Sequence, residues 1–522
     1  MAPSGDLMSA ALRITAWSRG ARRCNPSDGV PDQTLVGHGG VHAAARLQTG
    51  CHRNNGSHGR SDGSLVAGMI KAAVAVILIA ALRPTVPAAA DDASAGTPAP
   101  PPPSANPTKL LLGDIGGLRS GLTKLGLTPA ITETDEVLGN VSGGLRQGLI
   151  HEGLTDFSLA YDFRPEFHWR GNFFVRAYQI HGKGLTAANI DNLNTISGIE
   201  ATATTRLFEL WYEQHIGDWL RIRIGQQSAG QEFLISTGAK PFINSAFGWP
   251  TLPGVDLPSG GPNYPLATPA VRFRIDANDE LTFFAGIFNG NPAGPGIGDP
   301  QQRDASGTSF RINDGISAFY ETRYNPGNSP RNGTYRVGTW YNSERFADLR
   351  LDTMGVSLAS PLSNGMPRLH NGDVSFYAII DQPLFGGGPD GLAIFARAMG
   401  APGDRNLVGT YFDSGITYKN PSKNLFDQTG DIIGFAAAYA RIGSAARGLA
   451  ADTAAFTGQP YPQRSSETAL ELTYQIQLIP GWQVQPDLQY IINPGGGIAN
   501  PLMPPRRIKN ALIGGVRTII NF

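Results

Sequence analysis

Apolar and polar residues alternate along most of the chain after about residue 130, and the alternation has a period of two. In the segment LELTYQIQL, Leu470, Leu472 and Tyr474 share one face, whereas Glu471 and Thr473 share the other. A period of two is typical of β-strands with one apolar and one polar face, because helices repeat every 3.6 residues. The pattern therefore predicts an all-β fold for this part of the chain.

Turn residues divide this region into strands of about ten residues each. Sixteen strands are predicted, near residues 130–141, 148–163, 171–181, 204–215, 219–227, 270–276, 281–289, 313–324, 333–342, 372–382, 391–400, 409–419, 430–442, 466–478, 482–493 and 510–522. An even number is what a closed antiparallel barrel with both termini on one side requires. We therefore predict a sixteen-stranded antiparallel transmembrane β-barrel over residues 130–522, with a short N-terminal periplasmic segment before it.

The lengths of the predicted connections alternate as well. The tight turns are residues 216–218, 277–280 and 479–481, and the long connections are residues 182–203, 228–269, 290–312, 343–371 and 443–465. Outer-membrane barrels have short periplasmic turns and long external loops, whereas a secreted β-sandwich or β-helix has no reason to sort its loops. The longest loop, residues 228–269, is rich in Pro, Gly and aromatic residues. We expect it to fold inward as a constriction, the alternative being a rigid external lid.

The N-terminal part of the chain contains an export signal. A basic segment at residues 69–71 precedes the apolar run AAVAVILIA and the sequence VPAAADD, which predicts a signal peptide over residues 69–90 that is cleaved near Ala90. A buried core helix would leave the Ala-rich end of this segment unexplained. Residues 1–68 are interpreted as a non-native extension, either a mis-called start or an unusual extended signal. The exported part of the chain is thus expected to begin after residue 90.

Residues 91–129 are predicted to be a periplasmic segment. A Pro-rich tract at about residues 97–107 favours an extended, polyproline-like linker. The sequence after it, LRSGLTKLGL, places Leu118, Leu122 and Leu125 on one face of a helix. This spacing predicts a short amphipathic helix just before the barrel.

Composition excludes several classes of protein. The chain has 42 basic and 42 acidic residues; nine and four of them lie in residues 1–90, which leaves 42 − 9 = 33 and 42 − 4 = 38 for the rest. This balance excludes a nucleic-acid-binding protein. The longest uncharged apolar run, residues 72–82, is far shorter than the roughly 20 residues of a helical membrane span. Both cysteines, Cys24 and Cys51, precede residue 90, so disulfides and thiolate metal sites are excluded after it.

The polar half of each strand must face a wet interior, because polar groups are costly in the hydrocarbon layer. Alternation assigns both signs of charge to this interior: Asp162, Arg164, Glu209, Glu213, His215, Arg221, Arg223, Arg272 and Arg274. Such a wall suits a neutral, hydroxyl-rich solute such as a sugar, whereas a ring of one sign would favour ions. The alternative is that these charges only bridge neighbouring strands or hold water.

Cross-strand pairing can also be predicted near the first tight turn. If that turn has three residues, Glu213 lies opposite Arg221, and Trp211 lies opposite Arg223. Thr473 is likewise expected opposite Asp487, and Gln475 opposite Gln485. On this assignment Arg221→Ala or Arg223→Ala should change conductance without unfolding the barrel, whereas Ile222→Arg on the lipid face should impair assembly.

Several sequence segments resemble the OprB-type carbohydrate-selective porins. These segments are TTRLFELWYEQHIGDWLRIRIGQQSAGQEF, FINSAFGWP, GGPNYPLATPAVR, FFAGIFNGNPAGP, IIDQPLF, GAPGDRN, AYARIG, QPDLQYIINPGGG and NALIGGVRTIINF. The resemblance covers about residues 110–522 and departs from the family at Ile115, where a Trp is common. It implies an outer-membrane channel for passive diffusion of glucose and other monosaccharides, with arginines and glutamates lining a narrowed pore. The candidate pore-lining or sugar-contacting residues are Glu209, Trp211, Glu213, Arg221, Arg223, Glu232, Trp249, Arg272 and Arg274.

The sequence contains no recognised catalytic motif. The histidines after residue 90, which are His151, His168, His181, His215 and His370, have no catalytic context, and there is no G-x-S-x-G. Gly386, Gly388 and Gly391 match G-x-G-x-x-G, but Pro389 interrupts the match and a strand follows it, so this segment is interpreted as a turn. We expect no catalysis, no cofactor and no metal site. A general or other-solute porin, and an outer-membrane hydrolase or adhesin, stay as alternative functions.

The remaining expectations concern partners. Outer-membrane lipid is expected around the barrel, and Phe522 on the closing strand is expected to engage the barrel-assembly machinery. Gly434, Ala436 and Ala438 are assigned to the lipid face. These small residues could mark a contact in a homo-oligomer or could relieve crowding in a curved sheet, and the sequence leaves both interpretations open.

Overall fold

A computed structural model describes residues 107–327, 329, 332–385, 391–420 and 430–522. The predicted N-terminal extension, the signal peptide, most of the Pro-rich linker, and Gly386, Gly388 and Pro389 lie outside these residues. Among the described residues, no helix is long and apolar enough to cross a membrane. The description that follows concerns the part of the chain after residue 106.

Sixteen β-strands account for most of the described chain, and their order follows the sequence. They are β1 Leu127–Gly144, β2 Gly148–Asp162, β3 Gly171–Gly182, β4 Thr204–Ile216, β5 Leu220–Gln227, β6 Thr268–Asp276, β7 Leu281–Asn289, β8 Ile316–Tyr324, β9 Thr334–Asp352, β10 Pro367–Phe385, β11 Gly391–Gly400, β12 Val408–Lys419, β13 Ile432–Ile442, β14 Ser466–Ile479, β15 Trp482–Ile492 and β16 Lys509–Asn521. Most bounds agree with the prediction within three residues.

Each strand pairs antiparallel with its neighbours in sequence, and β1 pairs with β16 to close the barrel. At the closure, Val137 lies opposite Val516, and the backbone N–H of Phe522 donates to the carbonyl of Ile131 at 3.0 Å. The prediction of a closed sixteen-stranded antiparallel barrel is confirmed. We call the end that carries Leu127 and Asn521 the terminal end and the opposite end the loop end.

Helical segments lie in the connections and before β1. The α-helices are Leu118–Lys124, Arg164–Phe167, Ser245–Gly248, Thr251–Asp256, Pro300–Arg303, Ser444–Thr457 and Pro494–Gly497; the short turns of other helical type are Pro107–Lys109, Thr186–Ile190, Ala229–Gln231 and Pro258–Gly260. The first α-helix contains Leu118 and Leu122 and ends before Leu125, so the short helix predicted there is present.

Most connections follow the predicted alternation of lengths, with one correction. The connection predicted over residues 343–371 is mostly strand, because β9 runs to Asp352 and β10 starts at Pro367. The two strands are therefore longer than expected and rise beyond their neighbours at the loop end. The two extensions pair with each other, with Phe346 opposite His370.

The two faces of each strand differ in burial. On β13, Ile433, Phe435 and Tyr439 are exposed on the outside of the barrel, whereas the small residues Ala436 and Ala438 are fully buried. The assignment of Gly434, Ala436 and Ala438 to the lipid face is therefore wrong. They face the interior, where a Cβ on Gly434 would stand 2.8 Å from the ring of Phe242. Small residues are needed here because a loop packs against this wall.

That loop comprises residues 228–267 between β5 and β6, and we call it the inner loop. Its aromatic residues Phe233, Phe242 and Phe247 are buried against side chains of the barrel wall. The rings of Phe233 and Phe319 of β8, for example, have centroids 5.3 Å apart. The expected inward fold of the longest loop is thus observed, and the alternative of an external lid is excluded.

Charged residues of the wall hold the backbone of the inner loop. The carboxylate of Glu471 accepts from the N–H groups of Ile243 at 2.5 Å and Asn244 at 2.9 Å. The Arg397 guanidinium donates to the carbonyls of Ala246 at 2.7 Å and of Leu234 and Gly248 at 3.0 Å. A buried backbone group needs such a partner, because an unpaired one costs about 1–3 kcal/mol. These charges of the wall therefore position the loop.

Candidate functional site

A cavity of about 270 Å³ lies inside the barrel on the terminal-end side of the inner loop. Eight of the nine predicted site residues line it: Glu209, Trp211, Glu213, Arg221, Arg223, Glu232, Arg272 and Arg274. Seven come from the adjacent strands β4, β5 and β6, and Glu232 comes from the inner loop. The residues assigned to the interior by alternation therefore meet in one place.

Four of these residues form a compact cluster of alternating charge. Glu213 lies 2.9 Å from Arg223 and 2.6 Å from Arg272, measured between carboxylate oxygen and guanidinium nitrogen. Glu232 lies 3.0 and 3.2 Å from the same two arginines. All four side chains are at most 7% exposed. A buried charge needs a partner, and here each one has two of opposite sign.

The register of β4 and β5 produces this cluster and corrects a predicted pairing. Glu213 lies opposite Arg223, not Arg221, and Trp211 lies opposite Gly225, not Arg223. The strand runs through Ile216, so the turn is residues 217–219, with Gly217 at φ 56°. A shift of two positions leaves every side chain on its predicted face, because the side-chain period of a strand is two. The predicted pairing of Thr473 with Asp487 is confirmed.

Aromatic rings support the cluster on one side. The Arg223 guanidinium carbon lies 3.8 Å from the ring centroid of Trp211, in the range of a cation–π contact. Trp211 in turn stacks on Phe174 of β3 with centroids 4.9 Å apart. The cavity thus combines charged groups with aromatic faces, which is the composition expected of a site for an amphipathic polar solute.

The remaining arginines of the cavity are more accessible. The Arg221 side chain is 34% exposed and lies 3.7 Å from Asp276, while Arg274 pairs with Asp276 at 2.9 Å. Glu209 is buried and pairs with Arg176 of β3 at 3.3 Å. Among the nine candidate site residues, Arg221 is therefore the charge with the most direct access to a solute in the cavity.

Trp249 does not join the other predicted residues. It lines a second cavity of about 450 Å³ on the loop-end side of the inner loop, and its indole N–H donates to the carbonyl of Gly260 at 3.1 Å. Gln231 lines this second cavity, whereas its neighbour Glu232 lines the first. The turn that contains these two residues therefore lies between the two cavities, at the position expected for the constriction.

Sequence reasoning missed several residues of the site. Asn172 and Phe174 line the first cavity, and Arg176 pairs with Glu209. All three lie on β3, which was predicted, and they share the face of the buried Tyr178. The same alternation that identified β4 to β6 could have identified them. Predicted interior residues Asp162, Arg164 and His215 also line this cavity.

The second cavity is lined by a carboxyl group, that of Glu200, whose pKa is raised. Glu200, in the connection between β3 and β4, accepts hydrogen bonds from Leu185 and Thr186. Burial raises the pKa of Glu200 to about 7, although these hydrogen bonds favour the ionised form. Between about pH 4.5 and 7, the folded protein therefore keeps a proton on Glu200 that the unfolded chain has lost. The contribution to stability is complete below that range and falls as the pH rises through it.

We expect Glu200→Gln to remove this pH dependence. The measurement is the unfolding midpoint in detergent micelles between pH 4 and 8, compared for the parent and the variant. The difference between the two curves should change mainly between pH 4.5 and 7. Glu166→Gln, at an exposed carboxyl on the terminal end, is the control and should follow the parent. Parallel curves for Glu200→Gln and the parent would contradict the assignment.

Comparisons with known proteins agree with this architecture. Residues 146–522 match the family model of OprB, described as carbohydrate-selective porins. The chain is 23% identical over 431 residues to porin B of Pseudomonas aeruginosa, which covers 78% of this chain and 90% of that protein.

Solved structures also match. The high-pH structure of Pseudomonas putida OprB is 22% identical, covers 80% of this chain and 99% of its own, and has a TM-score of 0.70. At this identity the match establishes the fold. The low-pH structure of the same protein covers the same shares with a TM-score of 0.48 and 17% identity.

Proposed function

The chain belongs to the OprB family of carbohydrate-selective porins, and from this premise we propose that it admits monosaccharides such as glucose by passive diffusion. An OprB-type barrel is an outer-membrane channel rather than an enzyme. The route we propose leads through both cavities and past the constriction at residues 231–232. The observation that carries the proposal is the cluster of two arginines and two glutamates that lines this narrow point.

A mixed-sign cluster favours a neutral polar solute. Its charges neutralise one another, so neither cations nor anions meet a ring of opposite charge. Sugar hydroxyls both donate and accept, and they can exchange hydrogen bonds with carboxylates and guanidinium groups in turn. Within the described residues, Nε and Nη1 of Arg272 and the indole N–H of Trp211 have no hydrogen-bond partner. These donors are buried in the wall of the cavity, so we infer that solute hydroxyls exchange hydrogen bonds first with the more accessible Arg221.

The aromatic wall provides the complementary contact. The ring of Trp211 presents an apolar surface beside the charged groups, and the C–H face of a sugar ring can pack against it. Binding must stay weak, because a channel has to release its solute on the far side. A dissociation constant of about 1 mM, equivalent to about −4.1 kcal/mol, meets this requirement.

Single-channel recording tests the proposal. The purified protein is inserted in a planar bilayer, and glucose, a disaccharide and an uncharged polyol are added in turn. We expect glucose to reduce the ion current with saturation in the millimolar range, and the polyol to act more weakly. Ohmic current that no sugar changes would contradict the proposal and would favour a general porin.

A matched pair of variants tests whether glucose contacts the first cavity. Arg221→Ala removes the most accessible arginine among the candidate site residues and should change the glucose block severalfold without loss of folded barrel. Arg170→Ala is the control, because Arg170 is an exposed arginine that pairs with Asp218 outside the cavity. Equal glucose block in both variants would place the sugar contact elsewhere.

We also propose that the chain reaches the outer membrane by export and cleavage near Ala90, and that the barrel-assembly machinery recognises Phe522. The signal-like run at residues 69–90 and the apolar face of the closing strand support these two steps. N-terminal sequencing of the protein from outer membranes tests the cleavage.

A further inference from the structure

A polar cluster lies on the outside of the barrel, where apolar residues are otherwise expected. Asp135 of β1, Gly153 of β2 and His181 of β3 are direct cross-strand neighbours, and His151 lies beside them on β2. This is the outer face, because the alternate residues Glu136 and Glu152 are buried in the interior. Exposed apolar residues flank the cluster on both sides: Val137 and Leu149 toward the loop end, and Ile131 and Phe157 toward the terminal end.

The side chains of this cluster converge on one carboxylate oxygen. Oδ1 of Asp135 lies 3.0 Å from Nε2 of His151 and 3.3 Å from Nε2 of His181. An oxygen of Glu133 lies 3.8 Å from the same nitrogen of His181. Around a tetrahedral zinc ion with bonds of about 2.0–2.2 Å, neighbouring ligand atoms are about 3.3–3.5 Å apart. The observed separations are close to those of such a ligand set.

A second polar contact fixes the orientation of one ligand. The side-chain oxygen of Gln179 lies 3.0 Å from Nδ1 of His181. With its proton on Nδ1, the neutral imidazole donates a hydrogen bond to this oxygen and has its lone pair on Nε2, which points at Asp135. Metal-binding histidines have such a partner on the nitrogen opposite the metal. A lone pair facing a carboxylate is repulsive unless a proton or a metal cation lies between them.

Gly153 leaves the space that a bound ion would need. A Cβ at this position would stand 2.2 Å from Nε2 of His181 and 2.7 Å from Oδ1 of Asp135. The absence of a side chain therefore keeps open the point at which the ligand atoms converge.

Charge in the lipid layer provides a separate argument. Asp135 and Glu133 place two carboxylates on a face where charged residues are costly and rare. A divalent cation held by Asp135 and the two imidazoles would neutralise the charges of Asp135 and of the neighbouring Glu133. We propose that Asp135, His151 and His181 bind a divalent transition-metal ion of the zinc class on the outer wall of the barrel, with Glu133 as a nearby charge that favours the cation.

Cobalt is a suitable probe, because four-coordinate Co²⁺ has strong visible absorption. The full chain, folded in detergent micelles, is titrated with Co²⁺ and then with Zn²⁺. We expect one equivalent of Co²⁺ to develop the tetrahedral spectrum and Zn²⁺ to displace it. Gly153→Ala, which fills the space, and His151→Gln, which removes a ligand, should each weaken the affinity at least 100-fold, and Gln179→Ala should weaken it about 10–100-fold.

His370→Gln is the matched control. His370 also lies 3.0 Å from an aspartate oxygen, that of Asp348, but Arg368 supplies the positive charge there at 2.6 Å. This variant should bind Co²⁺ as the parent does, and histidines elsewhere in the chain contribute equally to every sample. Co²⁺ binding that is the same in the parent, Gly153→Ala and His151→Gln would overturn the proposal. The heat-modifiable migration of the folded barrel identifies variants that fail to fold, and the comparison then uses those that fold.

Discussion

Replacing Arg397 with methionine is expected to release the inner loop from the barrel wall and to raise the single-channel conductance severalfold. Arg397 is fully buried and pairs with Asp413, which is also fully buried, at 2.6 Å. Its guanidinium also donates to three carbonyls of the inner loop. Breaking a buried pair by removing one partner costs about 3–5 kcal/mol, because the other charge is left uncompensated.

The effect should fall on the loop more than on the barrel. The strands are held by a closed ladder of backbone hydrogen bonds that does not involve the side chain of Arg397, whereas the segment around Ala246 depends on that side chain directly. We therefore expect Arg397→Met to migrate as a folded barrel but to show larger and noisier current and faster proteolysis within residues 228–267.

A double variant provides the control. Arg397→Met with Asp413→Leu leaves no uncompensated charge, since a buried ion pair can often be replaced by apolar residues at little cost. The double variant should recover part of the stability that the single variant loses, although the carbonyls of Leu234 and Gly248 still lose their side-chain donor. Parent-like conductance and protease resistance in Arg397→Met would show that the inner loop does not depend on this anchor.

Ile224→Arg is expected to prevent most of the protein from assembling. Ile224 is 56% exposed on the outer face of β5, and its cross-strand neighbour Val271 lies opposite Ile287, which is also exposed. An arginine on the lipid face costs about 2–4 kcal/mol at the middle of the bilayer and about 0–1 near its surfaces. The folded fraction in lipid vesicles, measured by heat-modifiable migration, should fall sharply.

The structure changes the choice of position for this test. Ile222, the position predicted from the sequence, pairs with Gln214 near the terminal end, where an arginine can reach the membrane surface. Ile222→Arg is therefore the depth control on the same strand face and should assemble better than Ile224→Arg. Equal assembly of the parent and Ile224→Arg would refute the assignment of the outer face.

The structure also separates two arginines that the sequence treats alike. Arg223 was expected to tolerate alanine, as Arg221 was. Arg223 lies between Glu213 and Glu232 in the buried cluster, whereas Arg221 is 34% exposed. Both arginines occupy the same face of β5, two positions apart. The alternation of polar and apolar residues therefore predicts the same surroundings for both. Their different surroundings depend on the inner loop, which supplies Glu232 to one of them only.

The histidine cluster on the outer wall is another feature that the sequence pattern did not predict. His151 and His181 have no metal-binding spacing in the sequence, and no metal site was expected there. Cross-strand register brings them to one oxygen of Asp135. The small residues of β13 are a related case, because alternation alone did not show which of its two faces packs against Phe242.

The sequence by itself determined the strands, their number, the closed barrel and the set of residues that share each face, because a period of two is a local property of the extended chain. It also determined that a long aromatic loop lies between β5 and β6. The tertiary structure decided the register of β4 and β5, the anchoring of the inner loop on Glu471 and Arg397, and the grouping of charges at the constriction. These features depend on contacts between residues far apart in the chain, and a shift of two positions changes every such contact while leaving the alternation of each strand unaltered.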